Sequence, residues 1–597
     1  MTLPKAFQFN KFVHDVPPLA VALAAQTWTS FGITSWAWTQ GKPGVQNNGW
    51  PSEAGTGVQS TCFFRPSHTG IKYCMGRWGS MEGHYGSHEG HPRRWFILAV
   101  MGMSLIVVML NNVTLNVALP ELSKDLGADN TELQWILDAY ALVFGGTLLL
   151  MGAIGDRYGR RSTLQFGLIV MGAFSAWVAL AQNVTTNEVI AARAFMGLGA
   201  AFVMPATLSI VVTSFPRTER PRAIGIWAAM AGIGAPIGLF VGGWAVQYVD
   251  WQAVFMINVP IAIVCIALTW ALVPQSRDEQ QTPLDPIGGV LSMVGLGAFL
   301  YTIIEAPNHG WTSLETFGGA ALSVLFLGLF WTWERQREHP MLPMSFFREP
   351  GFVTGLLAVT LAYYVMFSFM FTQMLHFQLV RGHEALDAAV RFLPLPLGLM
   401  PAAGNSDRLV ALFGRAKVVG SGLMLVTLGM VMFGSVVDVN TDYWVLGLVF
   451  FVLGLGMGLT MAPSTGLVME SVPDDKAGVG SATNDSSREI GGALGIAIGG
   501  SVLNEFYQQS FQMPEGIDAS TLAADPTTSF PAAVRLGGEL LAQGQPVGAA
   551  LIEAANEAFV FGMTTSASAS AVISLIAAVI VFRFMPRATF GEEPHEG

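Results

Sequence analysis

Uncharged apolar runs of about 20 residues recur from Trp95 to Met585, and most end abruptly in a cluster of charge. No soluble core can bury so many of them. Only 12% of the 597 residues are charged, against roughly 25% in an ordinary soluble domain, while 52% are hydrophobic. The chain therefore reads as an all-α polytopic membrane protein, because a helix satisfies its own backbone polar groups inside lipid. The runs lie at about 95–117, 134–154, 162–181, 188–213, 223–247, 251–273, 286–304 and 315–333. They continue at about 352–379, 386–411, 417–437, 443–468, 478–503 and 560–585. That makes fourteen expected spans, each able to cross a hydrocarbon layer of about 30 Å.

Basic residues fix the expected orientation. One side collects Arg93, Arg94, Arg157, Arg160, Arg161, Arg217, Arg220, Arg222 and Arg277, and later Arg335, Arg337, Arg348, Arg408, Arg415, Lys417, Lys476, Arg583 and Arg587. The other side has Lys124, Arg381 and Arg535. This imbalance places both termini in the cytoplasm and the chain in the cytoplasmic (plasma) membrane as a multi-pass protein. The net charge of −11 adds little, since the sign is distributed by loop. Residues 1–93 differ from the rest, being rich in Trp, Gly, Thr and His without a clear period, and read as an N-terminal extension. A start at Met81 is the alternative. The segment at about 504–558 reads as an external loop with an amphipathic helix near 532–559, and 591–597 as a cytoplasmic tail.

Several chemistries find no support. Cys62, Cys74 and Cys265 give neither a disulfide framework nor metal spacing, and His339, His376 and His383 lack ligand spacing. Glycine pairs in the spans follow no strand and precede no Walker lysine, so no nucleotide site, cofactor or metal is expected. Neither nucleic acid nor an enzymatic constellation fits, and a monomer is expected.

Between the second and third runs stands Gly152-Ala-Ile-Gly-Asp156-Arg157-Tyr-Gly159-Arg160-Arg161. Gly159 permits a tight turn, Asp156 suits a helix cap or an arginine, and Gly152 lets another helix approach. This pattern resembles the loop signature of the major facilitator superfamily. Other stretches resemble its fourteen-span drug:proton antiporters, a multidrug efflux branch. They are Asn111 to Pro120, Leu133 to Tyr140, Arg193 to Gly197, and Gly232 to Gly238 followed by Gly242 and Gly243. The resemblance implies two six-helix bundles, at 94–275 and 346–590, joined by two additional spans in 276–345. It also implies that Gly152, Asp156, Arg157, Gly159, Arg160 and Arg161 act as a conformational latch. Gly404 to Arg408, with Gly414 and Arg415, is a decayed echo of that motif in the second half.

Charges within spans need partners or a wet cavity, because each costs at least ~2.5 kcal/mol at mid-bilayer. Arg193, Asp138, Asp485, Arg488 and Glu489 are therefore candidates for proton coupling or substrate contact, with Asn111 and Asn116 beside them. Asp485, Arg488 and Glu489 share a helix face at i, i+3 and i+4. The antiporter branch carries an aspartate where this chain has Asn111, and an amide cannot exchange a proton. Gly234, Gly238 and Gly242 line one face of the fifth span, with Pro236 between them and Gly243 adjacent. Close packing and sealing against leak explain them equally well. Tyr363, Tyr364, Phe367 and Phe371 are expected to add aromatic lining. The implied function is proton-coupled export of amphipathic or cationic small molecules by alternating access. The alternatives are export of one metabolite or lipid, or a membrane sensor that does not transport.

Overall fold

The computed structural model describes residues 90–126, 130–277, 283–514, 526–527 and 530–586. Nearly all of the expected extension 1–93, the alternative start at Met81 and the tail 591–597 fall outside them. Helices begin where the sequence supplies a cap or a turn. α1 (Arg94–Val113) and α2 (Leu115–Leu126) are separated only at Thr114. α3 (Asn130–Tyr158) stops at Gly159, whose φ of +111° favours glycine, and α4 (Arg160–Leu180) starts beyond it. A capping box opens α5 (Thr186–Ser214): the Glu188 amide donates to the Thr185 hydroxyl, and the Thr185 amide donates to the Glu188 carboxylate. α6 (Arg220–Tyr248) has Pro221 in its first turn. α7 (Ala253–Met256) and α8 (Asn258–Leu272) make one segment interrupted at Ile257.

Asp285 caps α9 (Pro286–His309) and Ser313 caps α10 (Leu314–Glu334). α11 (Pro350–Leu375) continues as a π-helical turn to Val380. After it come α12 (Ala385–Arg391), α13 (Pro394–Gly404), α14 (Ser406–Phe413), α15 (Arg415–Val436) and α16 (Tyr443–Glu470). The described helices end with α17 (Ala477–Ser510), α18 (Phe530–Ala542) and α19 (Val547–Phe584). No strand occurs among the described residues.

Twelve described segments are long and apolar enough to cross a membrane. The expected spans at 223–247 and 478–503 are occupied by α6 and α17, helices of 29 and 34 residues that are not among those twelve. In α17 the reason is visible: Ser481 to Glu489 is polar and its surface is covered by protein.

Three expectations are corrected. The run 386–411 is three helices rather than one, because Pro394 offers no amide to continue α12 and Asn405 leaves helical geometry. The segment 504–558 is not simply a loop, since α17 runs to Ser510 and α19 starts at Val547. At 1.5 Å per residue α19, with 38 residues, is about 57 Å long, well beyond a hydrocarbon layer. The amphipathic helix near 532–559 divides into α18 and the start of α19. Gly544, at φ +77°, and Pro546 separate them.

α1, α3 to α6 and α8 pack together, with α5 against both α3 and α4. The second group packs α11 on α17, α13 on α16, and α15 on α16 and α19. The groups meet where α3 and α5 touch α17, and where α6 touches α13 and α16. α9 lies on α3 and reaches α17, whereas α10 rests mainly on α9 and exposes Leu314, Phe317, Val324 and Leu325. So broad an apolar face requires lipid. The motif echo is real in geometry. Gly414 has φ +83°, like Gly159, and Arg415 after it binds Glu470 at 2.8 Å.

Candidate functional site

The two helix groups are fastened at the end that carries most of the arginines. Gly152 of α3 makes the approach possible: a Cβ there would stand 2.7 Å from the Gly478 carbonyl oxygen and from Ala482 Cβ on α17. One turn later the Asp156 carboxylate accepts the Gly478 and Val479 amides at 2.8 and 3.0 Å. An acid at the start of α17 also meets the positive end of its dipole. Arg160 donates to Asp156 through Nε at 2.9 Å and reaches the Asp474 carbonyl oxygen at 2.7 Å. Arg220 of α6 forks onto Asp474 with two bonds of 2.9 Å. Burial opposes the charge on Asp474. Arg220, aided by Arg217 and Arg160, outweighs it and holds the carboxyl below its ordinary value. Arg161 donates instead to the Val273 carbonyl, tying α4 to the end of α8. Arg157 lies near the Tyr158 ring.

Deeper in, α17 carries a second set of charges. Asp485 is fully buried and accepts from Arg488 at 3.3 Å and from the Ser481 hydroxyl at 3.5 Å. The Arg488 guanidinium lies 4.7 Å from the ring centre of Tyr363 on α11 and 5.2 Å from that of Trp227 on α6. Two aromatic faces, one from each helix group, therefore hold one cation. Phe367 stacks on Tyr363 with centroids 6.0 Å apart. Glu489 is half-buried and makes no hydrogen bond with any described residue. It faces α3 beside Gly145 and lies within electrostatic reach of Tyr140.

Tyr140 links this cluster to a third site. Arg193, 1% exposed, sits 4.3 Å from the Tyr140 ring centre. Its Nε donates to the Ile136 carbonyl at 3.0 Å and its Nη1 to the Asn111 carbonyl at 2.8 Å. The Asn111 side chain donates to the Val107 carbonyl at 2.9 Å and accepts from Asn258 at 3.0 Å. Arg193 thus sits on carbonyls and a π face, and no carboxylate bonds to it among the described residues.

The profile of the Major Facilitator Superfamily matches residues 101–496. The chain belongs to this superfamily. Methyl viologen resistance protein SmvA of Salmonella typhimurium is 31% identical over 491 residues, which cover 82% of this chain and 97% of that protein. Multidrug efflux pump LfrA of Mycolicibacterium smegmatis is 30% identical over 507 residues, covering 84% and 98%. The human organic anion transporter MFSD10 superposes with a TM-score of 0.52 at 13% identity, over 82% of this chain and all of that one. The proton:xylose symporter XylE gives 0.52 at 12%, over 83% and 96%. These likenesses show the major facilitator fold.

Within this facilitator fold the residues singled out from sequence separate into groups. Gly152, Asp156 and Arg160 meet α17, while Arg161 binds within its own bundle. Asp485, Arg488 and Glu489 lie between the bundles, whereas Asn111 and Arg193 are buried inside the first. Asn116 lies in α2, and its side chain is outside the described set. Asp138 faces the added helix α9, near Glu305, and its Oδ2 has no hydrogen-bond partner among the described residues. Gly234, Gly238 and Gly242 seat α1: a Cβ at Gly234 would stand 2.5 Å from Met109 Cβ, and one at Gly242 2.5 Å from Thr114 Cγ2. Gly243 faces Leu386 of α12 instead, and α6 runs unbroken through Pro236. Tyr364 is buried and Phe371 is exposed.

Sequence reasoning gave no site role to Trp227, Tyr140, Arg220 or Asp474, although Tyr140 closed a quoted motif and Arg220 counted toward orientation. The first two are fully buried aromatics with polar tips, and Trp227 donates to Thr207 at 3.2 Å. A polar-tipped aromatic inside an uncharged run was the available signal.

Proposed function

We propose that this facilitator exports amphipathic, mainly cationic small molecules from the cytoplasm in exchange for protons, by alternating access across fourteen spans. Both termini then lie in the cytoplasm of a bacterial-type plasma membrane, and the arginine-rich end is its cytoplasmic side. The observation that carries the reading is the α17 cluster. A carboxylate with no hydrogen bond among the described residues, Glu489, stands between the bundles beside an aromatic-walled ion pair. Such a group takes up a proton or a cation in turn, which is what exchange requires. The similarity to SmvA, a methyl viologen resistance protein, and LfrA, a multidrug efflux pump, supports export of this substrate class. With an amide at position 111, the proton is carried by the second bundle rather than by α1.

On this reading Asp485 pins Arg488 and Glu489 is the coupling group. Asp156, Arg160 and the arginines around them form the latch, closed on the cytoplasmic side. The test is a proteoliposome assay with an imposed pH gradient and a lipophilic cationic dye. Wild type should move protons when dye is supplied, and Glu489→Gln should bind dye without proton movement. Normal coupled transport in both Glu489→Gln and Asp485→Asn would overturn the assignment. A wild type that moves a lipid or a single metabolite but no dye would favour the narrower exporter.

A further inference from the structure

Among the described residues no hydrogen bond joins α9 or α10 to Asp485, Arg488 or Glu489, yet their arginine-side ends bring two carboxylates beside one glycine. Asp285 Oδ1 accepts the Gly288 amide at 2.9 Å, and its Oδ2 accepts the Trp333 indole N–H at 2.7 Å. Glu334, the last residue of α10, is 2% exposed, and its Oε2 accepts the Leu342 amide at 3.2 Å. Its Oε1 is buried and has no hydrogen-bond partner among the described residues. A Cβ on Gly288 would lie 2.5 Å from that Oε1 and 2.8 Å from Asp285 Oδ2. The absence of a side chain at 288 is what leaves room for both oxygens beside it.

Glu334 is buried with a second carboxylate beside it, so lost hydration and like charge both act against its ionised form. A proton on Glu334 removes that repulsion and gives the orphaned oxygen a role. Among the described residues the charged surroundings are few. From the turn before α17, Lys476 lies within electrostatic reach of Glu334 and favours its ionised form. Arg335 and Arg337 follow on the chain, and Arg337 sits 3.7 Å from the centre of the Trp333 ring that holds Asp285. On the α3 side Leu150, beside Gly289, contributes no charge. Lys476 belongs to the same short turn, Asp474–Lys476, that receives Arg160 and Arg220.

We propose that Glu334 and Asp285 form a proton-binding site in the added helices, read by Lys476 and separate from the α17 cluster. Its link to gating rests on the alternating-access reading. With the latch closed Lys476 stabilises the ionised pair, so by reciprocity a proton bound from the cytoplasm weakens the closed state. Acidification on that side then promotes opening toward it.

Infrared titration of the full chain in lipid nanodiscs tests the site without any transport. Wild type should show a carboxylic acid C=O band that persists above the ordinary glutamic acid range and disappears as pH rises further. The band should be missing in Glu334→Gln. Its midpoint should fall by about one pH unit in Asp285→Asn, where the like charge is gone, and rise in Lys476→Gln. Asparagine can still cap α9, so Asp285→Asn remains informative if Glu334→Gln folds poorly. No Glu334-dependent titration, or an unmoved midpoint in both neighbour variants, would overturn the proposal. Export measured against cytoplasmic pH should flatten in Glu334→Gln and Lys476→Gln, and a wild-type profile in both would sever the link to gating. Failure of the export reading itself would appear as no wild-type transport, with the infrared titration intact.

Discussion

At the residue scale, chemistry here turns on which carboxylates have a fixed partner. Asp485 has one, and removing it leaves the Arg488 guanidinium buried without its counter-charge. Asp485→Ala should therefore cost about 3–5 kcal/mol of stability, seen as a lowered Tm in detergent. Glu489→Gln, which strands no cation, should melt near wild type while losing coupling, so stability and coupling separate between neighbouring acids. Arg193 and Asn111 show the opposite case. The sequence marks both as intramembrane polar groups, but only the fold shows that the arginine rests on backbone carbonyls and that Asn111 bonds Asn258. The signal for burial was legible because charge in lipid always has a reason. The partner was not, since a carbonyl carries no residue signature.

At the element scale, the proposed latch joins α3, α4 and α6 to the start of α17. Asp156→Asn keeps an acceptor for the amides but loses the charge that holds Arg160. Turnover should slow about tenfold, worth about 1.4 kcal/mol, while substrate affinity changes little. Equal losses in both would remove Asp156 from gating. The anchor on the other side has a calculable pH dependence. Asp474 is held below its ordinary pKa when folded, so its pairing stabilises the protein above that pKa and is lost as pH falls through the lower folded value. The Tm gap between wild type and Asp474→Asn should be constant above about pH 5 and close below about 3.9. The latch loop itself was readable, because Gly159 and the acid-arginine spacing are local. Its receiver was not: Gly478 and Val479 offer only backbone amides, more than 300 residues away in sequence. Apolar run length likewise located the helices, yet missed the three-way break at 386–411 and the extension of α17 and α19. Prolines and helix projection beyond the lipid do not alter hydropathy. Glu334 ended one apolar run and Asp285 preceded another, so each looked like an ordinary span boundary until Gly288 brought them together.

At the scale of the whole molecule, alternating access demands that the closed end open once per cycle. Four contacts resist that: Gly152 on Gly478, Asp156 on the α17 amides, Arg160 on the Asp474 carbonyl, and Arg220 on the Asp474 carboxylate. They lie between bundles, so they must break together, whereas Arg415 on Glu470 lies within the second bundle and must not. A covalent tie across the first group should therefore arrest the cycle, and one across the second should not. Arg220→Cys with Asp474→Cys, in a chain whose three native cysteines are replaced, accepts a short bis-thiol cross-linker. Bridging that pair should abolish dye export while leaving dye binding from the opposite side in place. The corresponding Arg415→Cys with Glu470→Cys bridge should leave export within about twofold of the uncross-linked chain, a difference of about 0.4 kcal/mol. Export that survives the first bridge would mean the arginine-rich end does not open during transport.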